Sequence, residues 1–128
     1  MSTPFQQLLA FNNEVEQNWT ALGECLEQDG FLPATLKEQV RRVLAQQNGC
    51  EYCKAKGKPN SSHYDEKIAI CTAFTEAFLQ SRGQTSPNVT AVLKDYLTKE
   101  EIGELLAFIC FTTASQYFGA LHQLQPSE

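Results

Sequence analysis

Apolar residues in this chain recur every three or four positions, and no stretch alternates apolar with polar in the period-two manner of a strand. A chain patterned this way buries its apolar side chains as packed helices, so the expected fold class is all-α, with about six helices. Leu8, Phe11, Val15, Trp19, Leu22 and Leu26 step along one stripe of a long first helix, with Pro4 in its first turn and Gly30 at its end. A second helix follows Pro33. Thr35 and Glu38 there have capping-box spacing, and Leu36, Val40, Val43 and Leu44 form its apolar face. Asn48-Gly49 interrupts it, Cys50-Glu51-Tyr52-Cys53 opens a short third helix, and Gly57 to Ser62 reads as a loop. A fourth helix from about Asp65 carries Ile68, Cys71, Phe74 and Phe78, and a fifth from Ser86-Pro87 carries Val89, Val92, Leu93 and Tyr96. Thr98-Lys99-Glu100-Glu101 is a second capping-box pattern and opens the last helix, which runs toward Leu121.

The chain has 128 residues, with 42% hydrophobic and 20% charged, a balance that supports one hydrophobic core and a single domain over residues 1–128. A net charge of -5 without a dense Lys/Arg stripe counts against a nucleic-acid partner, whose phosphates need a cationic surface. The N-terminal residues lack the basic and apolar regions of a secretory leader, and no apolar run is long enough for a membrane span. The expected location is therefore cytoplasmic, with no membrane partner. Thiols in that compartment are kept reduced, so five cysteines do not read as a disulfide framework.

Cys50-x-x-Cys53 is the sharpest chemical signal in the chain. One helical turn brings two cysteines three apart within disulfide reach. The helix N-terminus and the neighbouring Lys54 and Lys56 favour thiolate over thiol, and only the thiolate attacks a peroxide or a disulfide efficiently. One sulfur of such a pair is oxidised to sulfenic acid, and the other condenses with it to a disulfide. A metal reading through Cys50, Cys53 and His63 lacks a fourth ligand, so no metal and no cofactor are expected. Thioredoxin-type context fails too, because the alternating strands and helices are missing. Cys25, Cys71 and Cys110 sit in helical patterns and look like small core residues. By spacing alone Glu38 reads as a solvated helix glutamate; folded back against the cysteines, it would be a proton acceptor for a thiol.

The run Gln46-Gln47-Asn48-Gly49-Cys50-Glu51-Tyr52-Cys53, with Glu38 ahead of it, resembles the alkylhydroperoxidase D-like branch of the carboxymuconolactone decarboxylase superfamily. Weaker similarity extends to Asp65-Glu66-Lys67-Ile68-Ala69 and to Thr98-Lys99-Glu100-Glu101-Ile102, so that about two thirds of the chain, from Leu36 to the last helix, follows the family's helical order. The resemblance implies a thiol-dependent peroxidase with an antioxidant role, acting on hydrogen peroxide or alkyl hydroperoxides. It implies Cys53 as the peroxidatic sulfur, Cys50 as the resolving one and Glu38 in a proton relay, with a thiol or dithiol as reductant. It further implies a homotrimer or homohexamer; the last helix is apolar over more than one stripe (Leu105, Leu106, Phe108, Ile109, Phe111, Tyr117, Phe118), which fits either self-association or a fully buried central helix.

One position departs from the family pattern: Gly57 stands where the family places a histidine that bridges glutamate and thiol. Tyr52 and His63 are the auxiliary candidates for its role. General helix-dipole reasoning points the other way on the cysteines, making the more N-terminal Cys50 the more acidic thiol. Two other functions fit the same fold: the cofactor-free lactone decarboxylation that names the superfamily, and a non-catalytic oligomeric role with a degenerate site.

Overall fold

The structure is a computed structural model that describes residues 2–126. Among these residues all regular structure is helical: α1 (Pro4–Leu8), α2 (Asn13–Glu27), α3 (Ala34–Gln47), α4 (Glu51–Lys54), α5 (Glu66–Ser81), α6 (Pro87–Tyr96) and α7 (Lys99–Leu121), with one 3-10 turn at Ser61–His63. The expected all-α class is what the chain adopts.

Helix α3 is the organiser, packed against α5 on one side and α7 on another. Its Leu36, Val40 and Leu44 are almost fully buried against Ile68, Cys71 and Phe74 of α5 and Leu105, Phe108 and Ile109 of α7. Each such leucine contributes roughly 1.5–3 kcal/mol relative to an exposed position. Leu93 and Leu97 bring α6 into the same core, whereas Val92 and Tyr96 of its expected apolar face are exposed.

The expected single first helix is two helices. Asn12 takes an extended backbone, and its side-chain oxygen accepts the Val15 N–H, so a new helix starts where apolar spacing alone would run through. Leu9 is buried at the corner, while Phe11 and Leu22 of the expected stripe face solvent. The break turns α1 back over α7, where Phe5 packs on Trp19 and Phe118.

The two capping-box patterns have different fates. Thr98 and Glu101 form theirs at the start of α7. Thr35 and Glu38 do not, because Pro33 is the N-cap and starts α3 two residues earlier than that box requires. Asp29 instead accepts the Ala34 N–H at 2.7 Å, and Glu38 is free to pair further along its own helix.

The loop between α2 and α3 is pinned to α7 through Glu104. Its carboxylate accepts the N–H groups of Phe31 and Leu32 and pairs with Lys37 at 2.9 Å. Lys37 is only 2% exposed and also donates to the Gln28 carbonyl. Burial would raise the Glu104 carboxyl, but the Leu32 N–H, Lys37 and the Phe31 N–H together hold it below its ordinary value. The outward face of α7 carries Leu106, Ala107, Cys110, Ala114, Tyr117 and Leu121, all exposed and none charged.

Candidate active site

Cys50 is the N-cap of α4, and its sulfur accepts the backbone N–H of Cys53 at 3.2 Å. Gly49 supplies the positive φ that turns the chain from α3 into this cap. The buried Asn48 donates to Gln116 of α7 at 2.8 Å, and Gln116 donates to the Arg41 carbonyl at 3.3 Å. This amide ladder fastens the end of α3, and so the start of α4, onto α7.

Cys50 and Cys53 are joined as a disulfide, with their Cα atoms 5.2 Å apart. Their surroundings differ. Cys50 is fully buried and sits over Gly119 of α7, whereas Cys53 is half-buried and lines a cavity of about 340 Å³. Phe5, Trp19 and Phe111 give that cavity an aromatic wall, and the Trp19 indole N–H is satisfied by the Ser115 hydroxyl at 3.0 Å. Arg41, Lys56, Glu24 and Glu27 supply its charges, and Tyr52 also lines it.

Glu38 lies on the same side of α3 as the cysteine segment but reaches neither sulfur. One oxygen accepts Arg41 Nε at 2.8 Å, and the other accepts Arg41 Nη2 at 2.9 Å and Arg42 Nε at 2.8 Å. Arg41 then donates to the Cys53 carbonyl at 3.0 Å. The link from Glu38 to the cysteine segment therefore runs through a guanidinium and ends on backbone. Burial would raise the Glu38 carboxyl. Hydrogen bonds from Arg41 and Arg42, with their charges, outweigh this and hold it at about 2, against an ordinary 4.5.

His63 does not fold back onto the cysteines. It lies with Glu38, Arg42 and Asp65 along a separate polar cleft of about 530 Å³. The metal reading is not assembled either: among the described residues no three His, Cys, Asp or Glu side chains come together in a ligand set. Gly57 is half-buried with φ of 110°, facing α3 near Arg42 and Gln46. The chain after the cysteines runs back antiparallel along α3, Gln46 meeting Gly57, Arg42 meeting Lys58 and Gln39 meeting Asn60, so that Gly57 lies at least one turn further along α3 than Glu38.

The other cysteines correct the sequence reading in part. Cys71 is buried as expected, and burial, reinforced by the nearby Glu101, pushes its thiol up to about 12. Cys25 and Cys110 are exposed, because α2 and α7 turn those positions away from the core.

Arg41 and Glu27 were not singled out by spacing. The Glu38-x-x-Arg41-Arg42 pattern does carry a signal for the first, since charges three and four apart pair along a helix. Nothing local marks Glu27, which reaches the cavity only because α2 packs across α7. Among the described residues no helix is long and apolar enough to cross a membrane. No family model, curated protein or solved structure matches this chain.

Proposed function

We propose that this chain is a cytoplasmic, thiol-dependent peroxidase with an antioxidant role, in which Cys53 attacks the peroxide and Cys50 resolves the product. The observation that carries the reading is the asymmetry of the Cys50–Cys53 disulfide: one sulfur is fully buried, and its partner lines an aromatic-walled cavity. Helix capping favours the Cys50 thiolate, but a peroxide must reach the sulfur it oxidises, and access belongs to Cys53. The Cys53 thiolate takes the terminal oxygen of the peroxide, giving a sulfenic acid while the O–O bond breaks and an alcohol or water leaves. The Cys50 thiol then condenses with the sulfenic acid, forming the disulfide and releasing water. An external thiol or dithiol reduces that disulfide and closes the cycle.

The resemblance of the Asn48–Cys53 segment to alkylhydroperoxidase D-like proteins supports the same chemistry. The redox pair favours it over cofactor-free decarboxylation, which uses no sulfur oxidation. Reaction of the reduced protein with one equivalent of peroxide should consume two thiols and yield a 50–53 bridge in the peptide map. An unchanged thiol count would overturn the reading. The uncharged outward face of α7 supports a homotrimer or homohexamer, and a monomer mass by light scattering at micromolar concentration would rule that out.

A further inference from the structure

We infer that Arg41 is the positioning residue of this site: braced by Glu38, it fixes the backbone of Cys53 and sets a permanent positive charge beside its sulfur. Glu38 then acts through Arg41 rather than by moving protons, an inference that rests on the peroxidase reading above. Arg41 Nη1 donates to the Cys53 carbonyl at 3.0 Å, and both residues line the same cavity. The carbonyl oxygen and the sulfur of one cysteine are four bonds apart, a span of at most about 5 Å. Arg41 Nη1 therefore stays within roughly 8 Å of Cys53 Sγ whatever rotamer the cysteine takes.

The guanidinium has little freedom to leave. Its Nε and Nη2 grip the two oxygens of Glu38 at 2.8 and 2.9 Å, and the side chain is only 12% exposed. Its backbone is fixed too, because the Arg41 carbonyl accepts from Gln116, the amide that also holds Asn48. Glu38 does not cancel the charge, since the same carboxylate pairs with Arg42 at 2.8 Å. One carboxylate against two guanidiniums leaves one positive charge, and Arg41 is the member bonded to Cys53. Other charges also face the cysteine. Glu24 and Glu27 of α2 and Lys56 line the cavity with it, and Glu51 and Lys54 flank it on α4. All five are exposed and screened by water and salt, whereas Arg41 is largely shielded.

A guanidinium keeps its proton in a protein, so Arg41 cannot carry one from Glu38 to the sulfur. Both Glu38 oxygens are engaged by Arg41 and Arg42, which leaves that carboxylate no part in proton transfer. Cys53 instead ionises to solvent, favoured by the neighbouring charge. The thiolate attacks the terminal peroxide oxygen, the O–O bond breaks, and the departing alkoxide takes a proton from water. Thiol and hydroperoxide become sulfenic acid and alcohol, and Arg41 and Glu38 end as they began.

The test uses the reduced full chain and the variants Arg41→Met, Arg41→Lys and Glu38→Gln, each checked for helical content. Iodoacetamide labelling of Cys53, read by peptide mass mapping between about pH 5 and pH 10, gives the thiol pKa without any peroxide. Rapid mixing with cumene hydroperoxide at pH 7 gives the peroxide rate. Arg41→Met should raise the Cys53 pKa by about one unit, so that labelling at pH 7 falls roughly tenfold and recovers at high pH. A residue that only held the backbone would leave that pKa unmoved. Arg41→Lys, which keeps the charge, should stay close to the wild-type pKa. Glu38→Gln, whose amide oxygen still accepts from the guanidinium, should slow the peroxide reaction only a few-fold, against about 100-fold for a proton relay. A wild-type pKa in Arg41→Met, a pKa in Arg41→Lys as high as that expected of Arg41→Met, or the full relay-sized loss in Glu38→Gln would each overturn the inference. If Arg41→Met does not fold, the lysine and glutamine variants decide. If wild type leaves the hydroperoxide untouched, the peroxidase reading falls, while the labelling arm still decides for or against Arg41.

Discussion

The sulfur of Cys50 rests directly on Gly119, where a Cβ would stand 2.8 Å from Sγ. Helix α7 thus accommodates the buried half of the disulfide by omitting a side chain, and Cys50 can lie deep while Cys53 remains at the cavity. Gly119→Ala forces either α7 or the α4 cap to move, at about 1–3 kcal/mol for an overpacked site. The variant should unfold at lower urea and form the 50–53 bridge more slowly. A wild-type unfolding midpoint would show that the contact is soft.

Exposure sets the order in which thiols are modified. In the reduced protein at neutral pH, iodoacetamide should label Cys25, Cys110 and Cys53 well ahead of Cys50 and Cys71. Cys71 should be last, because its thiol is buried and pushed up to about 12. Peptide mass mapping over a time course reads the order directly. Early labelling of Cys50 would reverse the roles proposed for the pair.

Acid should weaken the fold through its depressed carboxyls. A group whose folded pKa is lowered contributes stability above its unfolded value and loses it as pH falls through the folded one. For Glu38 that window runs from 4.5 down to about 2, and Glu104 and Glu101 shift in the same direction. Glu27, shifted upward, acts in the opposite sense and relieves a small destabilisation when protonated. Glu104→Gln leaves the buried Lys37 without its counter-ion, so the loss at pH 7 should be roughly 3 kcal/mol, and the acid dependence should flatten. Urea titrations at pH 7 and pH 3 test both parts; equal midpoints for the two proteins at pH 7 would refute them.

Gly57 holds a positive φ, and a Cβ there would meet Arg42 Nη1 at 3.7 Å. A side chain at this position therefore strains the backbone, by roughly 1–2 kcal/mol, and starts out toward Arg42. Gly57→His and Gly57→Ala should lose similar stability and leave the same thiol pKa and peroxide rate. A higher rate and lower thiol pKa in the histidine variant alone would show that the imidazole reaches the sulfur.

Much of the fold was legible because helix signals are local. The spacing from Leu36 to Leu44, the Asp65 and Thr98 caps and the Gly49 break each act within a turn or two, and the structure keeps them. The errors arose where two local signals competed. Asn12 as a cap overrode an apolar stripe that appeared continuous, and Pro33 moved the start of α3 so that the Thr35–Glu38 box never closed.

The site divides along the same line. Spacing alone puts Cys50 and Cys53 one helical turn apart, with both sulfurs on one side of the chain. That Cys50 is sealed against Gly119, that Arg41 ties Glu38 to the Cys53 carbonyl, and that Glu24 and Glu27 share the cavity of Cys53 follows from how the helices pack. Burial and cavity walls come from helices far apart in sequence, and no local spacing encodes which of their faces meet.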